Sequence, residues 1–95
     1  MGSMTYEKAD AIGYAYYIPD GERLMDVLVG LRMCESHKAA KAIVRSGGVR
    51  VGGREERDPV FALEGQGRRY KVAVGSGVGL VASGATAKTH EVVVR

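Results

Sequence analysis

The feature that most constrains this chain is a change of hydrophobic period at one double glycine. Before it, Ala40, Ile43 and Val44 fall at helical spacing, so they share one face of a helix running from His37 to about Ser46. After it, Val49-Arg50-Val51 alternates apolar, basic, apolar, which suits a short strand with Arg50 on the open face. Gly47-Gly48 stands between them, because glycine takes the left-handed conformation at low cost and so ends a helix. A helix that hands over to a strand within two residues calls for helices packed on a sheet.

The flanking sequence extends this scheme. Ala11 to Ile18 is rich in tyrosine and suits an extended strand, ended by Pro19. Asp20 is placed to cap a first helix over Glu22–Leu31, whose apolar face is Leu24, Val27, Leu28 and Leu31. A link over Arg32–Glu35 leads to Ser36, the expected N-cap of the second helix, so the pair forms a helix-turn-helix. Beyond the double glycine, Gly52-Gly53 and Asp58-Pro59 are turns, and Val60, Phe61 and Leu63 return to the core. Arg68–Val74 alternates, with Tyr70, Val72 and Val74 on one side. Its expected hairpin partner is Val78–Ala82, and Ser83–Thr89 is read as a connector. Glu91–Val94 is either a last strand or a loose tail. The division that follows is an N-terminal extension over 1–18, a domain over 19–83 and a tail over 84–95.

Length and composition fit one domain, since the chain has 95 residues and is 45% hydrophobic. No apolar run approaches the roughly 20 residues of a membrane helix, so no membrane partner is expected. Nothing resembles a secretory signal. Met1-Gly2-Ser3 before Met4 reads as a tag remnant, with the natural chain starting at Met4. One cysteine, Cys34, rules out an intramolecular disulfide and points to a reducing, cytoplasmic setting. Cys34, His37 and His90 are too few and too scattered for a metal site, and no cofactor is expected.

The formal net charge of +3 is unevenly spread. Residues 1–31 hold two basic and five acidic side chains, and residues 32–71 hold ten basic and five acidic ones. A basic middle segment is the footprint of a polyanion partner. Lys38, Lys41 and Arg45 share one helix face, Arg50 follows on the strand, and Arg54 lies past the turn. Ser36 and His37 at the helix start could add hydrogen bonds. Catalysis finds no such support. Cys34 and His37 straddle a helix start with no orienting group, and Glu55-Glu56 is a solvated pair in a charged turn. Gly75-x-Gly77-x-Gly79 lies between strand patterns and lacks the helix that a phosphate loop needs.

The run Ser36-His37-Lys38-Ala39-Ala40-Lys41-Ala42-Ile43-Val44-Arg45-Ser46-Gly47-Gly48-Val49-Arg50-Val51 resembles the signature of the S-four RNA-binding domain. The Leu24–Leu31 helix and the Asp58-Pro59 step also sit where that family has them. The resemblance covers about two-thirds of the chain. It is similar to the version at the C-terminus of bacterial tyrosyl-tRNA synthetases, which shares the double glycine and a terminal hairpin.

The resemblance implies an α+β, S-four-like (alpha-L) fold: a two-helix hairpin on a small, mostly antiparallel sheet, here with an extra N-terminal strand. It implies binding of structured RNA, such as transfer or ribosomal RNA. Ser36, Lys41, Arg45 and Arg50 match motif positions; His37, Lys38 and Arg54 come from the charge argument. Ala42, Gly52, Glu55-Glu56 and the tip Ser76-Gly77-Val78 depart from the family pattern, which implies altered RNA binding. No aminoacylation follows, because the synthetase's catalytic domain is absent. The alternative is a protein-interaction module that keeps the fold, with an exposed N-terminal strand edge adding to a partner's sheet or pairing two copies.

Overall fold

A computed structural model describes residues 6–75 and 88–95. The elements run β1 (Ala15–Ile18), β2 (Glu22–Arg23), α1 (Leu24–Gly30), α2 (His37–Arg45), β3 (Val49–Val51), β4 (Arg54–Glu55), β5 (Ala62–Leu63), β6 (Arg69–Val74) and β7 (Lys88–Val94). The class is α+β. Five strands form one sheet in the order β1-β7-β6-β3-β4, and β2 with β5 forms a small second one. Among the described residues, only the β1–β7 pair is parallel.

Strand alternation decides which side of the sheet is covered. Val49 and Val51, Val72 and Val74, and Val92 and Val94 are buried together with Leu24, Val27 and Leu28 of α1 and with Ala40, Ile43 and Val44 of α2. The alternate residues, Arg50, Lys71 and Arg69 among them, are exposed on the other side. Gly52-Gly53 closes the β3–β4 hairpin with φ of +62° and +83°, the left-handed pair that a tight type I′ turn requires.

Helix α2 is the element that the sequence specifies most fully. Ser36 Oγ accepts from the Ala39 amide at 3.1 Å, as an N-cap should. The Ser36→Ala variant is expected to lose about 1 kcal/mol of stability, read from a urea melt.

The start of α1 differs from expectation. Residues Glu22 and Arg23 are a strand, and Asp20 does not cap the helix; its Oδ1 accepts from the Gly65 amide instead. The first amides of α1 are satisfied by distant backbone, with Leu24 donating to the Phe61 carbonyl and Met25 to the Pro59 carbonyl. Backbone groups more than thirty residues away thus replace the side-chain cap. The same segment corrects the expectation for Val60, which is 54% exposed while its neighbour Pro59 is buried.

Both helices end alike. In α2, Gly48 N–H donates to the Ile43 carbonyl and Gly47 N–H to that of Val44, with Gly47 at φ +85°. In α1, Met33 donates to Leu28 and Arg32 to Val29, but the left-handed residue is Arg32 at φ +59°. This bonding is the Schellman motif, which favours glycine at that position. Because an L side chain is disfavoured there by about 1–2 kcal/mol, Arg32→Gly is expected to raise the melting temperature by a few degrees despite glycine's extra unfolded-state entropy.

The C-terminal segment is no tail. Lys88–Val94 is a strand lying between β1 and β6, with Val92 and Val94 buried. Lys88 and Thr89, read as part of the connector, belong to it, and β7 is the strand that returns beside β6. The Val78–Ala82 expectation, the tip at 76–78 and the tag remnant lie outside the described residues.

The outer edge of β1 is not open. Ala9 N–H donates to the Ala15 carbonyl and Tyr17 N–H to that of Glu7, both at 2.8 Å, so residues 7–9 cover this edge. The expected exposed edge for strand addition is therefore already paired, because the preceding segment folds back on it. Tyr6 anchors that segment. Its hydroxyl donates to Glu22 Oε2 at 2.7 Å, and its ring lies against Gly30, where an added Cβ would come within 2.4 Å of Tyr6 Cε2.

Candidate nucleic-acid interface

Helix α2 places three cations in a row. At about 100° per residue, Lys38, Lys41 and Arg45 fall within about 60° of one another, away from the Ala40–Ile43–Val44 face. All three are exposed. Ser36 and His37 sit at the N-terminal end of this row, and Arg45 sits in its last turn.

The remaining two expected residues belong to the β3–β4 hairpin. Arg50 is exposed on the sheet face turned away from the core and donates to the Gly53 carbonyl at 3.4 Å, so its head lies over the turn. Arg54 pairs with Val51 across the hairpin and is exposed. The structure thus groups Ser36, His37, Lys38, Lys41 and Arg45 on one helix, with Arg50 and Arg54 on the hairpin that follows it.

Among the described residues, Arg23 pairs with Asp26, His37 with Asp26, Arg57 with Glu55, Arg69 with Glu91 and Arg95 with Glu7. Lys38, Lys41, Arg45, Arg50 and Arg54 are in none of these pairs, a state they share with Lys8, Arg32, Arg68, Lys71 and Lys88. A cation without an internal partner keeps its full charge for an external anion.

Asp26 and Arg57 were not singled out by sequence reasoning. Asp26 is 9% exposed, between the helices, where its Oδ1 lies 2.8 Å from His37 Nε2 and its Oδ2 accepts from Arg23 Nε at 2.9 Å. The helical pattern alone gives no signal for it, because Asp26 falls on the side of α1 opposite the Leu24–Val27–Leu28 face and meets His37 only through the packing of α2. His37 is thereby oriented from α1, with its side chain still 48% exposed. Arg57 answers the acidic Glu55-Glu56 pair. It holds the Glu55 carboxylate beside Gly47, while Glu56 Oε2 accepts from the Asp58 amide. The acids that depart from the family pattern are thus bound locally.

Cys34 is buried between the helices and the sheet, and burial pushes its thiol up from 9.0 to about 11. The folded state holds this proton more tightly than the unfolded chain. The associated stability is therefore intact below pH 9 and is lost as the pH rises through about 11. Thiol alkylation at pH 8 is expected to be slow in the native protein and to become fast in denaturant.

The family model of the S4 domain matches residues 22–66, which hold β2, α1, α2, the β3–β4 hairpin and β5. No curated protein matches the chain. The S4 domain is a small RNA-binding domain and not a catalytic one. The helix pair, the serine-capped basic helix and the glycine-closed hairpin all fall within residues 22–66, and this stretch is similar to the S4 domain.

Proposed function

We propose that the chain is a non-catalytic module that binds structured RNA of the transfer or ribosomal type. Ser36, His37, Lys38, Lys41 and Arg45 of α2 form the contact, with Arg50 and Arg54 added from the hairpin that follows α2 in sequence. The observation that carries this reading is the set of five exposed cations in no ion pair, gathered on α2 and the hairpin that follows it. Lysines supply point charges for phosphates, and the arginines can also grip a phosphate through two hydrogen bonds or stack on a base.

Likeness to the tyrosyl-tRNA synthetase version favours transfer RNA as the first RNA to try. A reducing, cytoplasmic compartment suits a protein whose one thiol is buried and unpaired. The functional unit includes β1 and β7, because the core of the matched domain is completed by them. Pairing through the N-terminal strand is the weaker reading, since residues 7–9 already occupy its edge.

The test is a salt titration of binding to a folded transfer RNA. Four to five phosphate contacts predict a log–log slope of about −4. Absence of binding at low salt to both transfer RNA and ribosomal RNA helices would overturn the reading.

A further inference from the structure

Outside the matched stretch, the sheet carries an aromatic cluster that the α2 surface does not use. Tyr14 and Tyr16 come from the β1 region and His90 from β7. The His90 ring lies 5.5 Å from that of Tyr16, edge to face, and 6.3 Å from that of Tyr14. His90 Nδ1 lies 3.1 Å from the Tyr14 carbonyl oxygen, which fixes the imidazole beside both rings. All three side chains are only half-buried.

A cation completes the cluster. A methyl group on Gly13 would lie 3.4 Å from Tyr16 Oη, 3.5 Å from Lys8 Cε and 3.8 Å from Lys8 Nζ. The lysine head and the tyrosine hydroxyl therefore converge over this turn. The neighbouring acids are occupied: Asp10 accepts from the amides of Gly13, Tyr14 and Ala15, Glu7 pairs with Arg95 and Glu91 pairs with Arg69.

Partly buried aromatic rings beside an exposed lysine suit single-stranded nucleic acid recognition, in which bases stack and phosphates meet the cation. Tyr16 also packs against the core, which leaves Tyr14 and His90 as the outer rings. The cluster sits at the β1 end of the sheet, and β3 lies three strand steps away, roughly 14 Å at the usual spacing. That span is about four stacked nucleotides. We propose that Tyr14, Tyr16, His90 and Lys8 bind unpaired nucleotides flanking the structured RNA held by α2. The proposal rests on the RNA-binding reading above and adds a second, single-strand contact to it.

The test compares an RNA hairpin with the same hairpin carrying six unpaired uridines, by fluorescence anisotropy. The flank is expected to tighten binding by the full-length protein about tenfold. Lys8→Glu and Tyr14→Ala should each remove that gain and leave affinity for the bare hairpin unchanged, while Tyr14→Phe should keep it. A flank effect below twofold, or a gain that survives both Lys8→Glu and Tyr14→Ala, overturns the proposal. Oligouridine alone provides the separating arm. If it quenches tyrosine fluorescence in the wild type but not in Lys8→Glu, the single-strand site stands even where the bare hairpin fails to bind. Salt-resistant self-association abolished by Lys8→Glu would assign the cluster to protein contact and overturn it.

Discussion

Reversing the charge of both Lys41 and Arg45 to glutamate is expected to weaken binding to structured RNA by about two to four orders of magnitude. Each charge-assisted contact is worth roughly 1.5–3 kcal/mol, and each new carboxylate adds repulsion from the phosphates. The log–log salt slope should fall by about 2, because two fewer counterions are displaced. The fold should be unaffected, since both side chains are exposed and in no ion pair. Anisotropy titrations at several salt concentrations, with a circular dichroism melt as control, would measure all three. Unchanged affinity with an intact melt would remove α2 from the interface. Asp26 provides a contrast. Its loss would withdraw the partner that orients His37, so its effect on binding should be smaller and only weakly dependent on salt.

Removal of residues 88–95 is expected to abolish cooperative folding altogether. β7 lies between β1 and β6, so its loss strips the ladder from one edge of β6 and leaves β1 without its partner. Val92 and Val94, at 0% and 2% exposure, would leave the core. At about 1.5–3 kcal/mol for each valine, and with the ladder bonds lost as well, the cost is comparable to the whole stability of a small domain. A flat thermal melt and collapsed amide shift dispersion for the truncated chain are the expected readouts. A truncated chain that melts cooperatively near the wild-type temperature would show that β7 is dispensable for folding.

These two outcomes mark where the sequence was legible and where it was not. Helix α2 and β3 could be read almost residue by residue, because Ser36, the Ala40–Ile43–Val44 face, Gly47-Gly48 and the Val49–Val51 alternation are all local signals that agree. The start of α1 could not. Its amides are satisfied by carbonyls at Pro59 and Phe61, and nothing near Asp20 announces that. The fate of Glu91–Val94 was undecidable for a similar reason. A run of three valines suits a strand, but its neighbours are fixed by β1 and β6, and β1 lies more than seventy residues earlier. For the site, charge spacing found the row on α2, since i, i+3 and i+7 positions on a helix need no tertiary information. The Asp26–His37 link was missed because it joins residues from different elements, whereas the Arg57–Glu55 pair is local, two residues apart within one charged run.

The parallel pairing of β1 with β7 has a consequence for the order in which the molecule forms. Ala15 meets Glu91 and Ile18 meets Val94, so β1 finds this partner only after more than seventy further residues have been synthesised. The α1–α2 hairpin and the β3–β4 turn close short loops and can form early. The β1–β7 ladder must close a loop of some seventy residues, at a larger entropic cost and on a slower timescale. During synthesis the tyrosine-rich strand therefore waits for β7 with only residues 7–9 beside it, and this interval is when the chain is most open to misassociation.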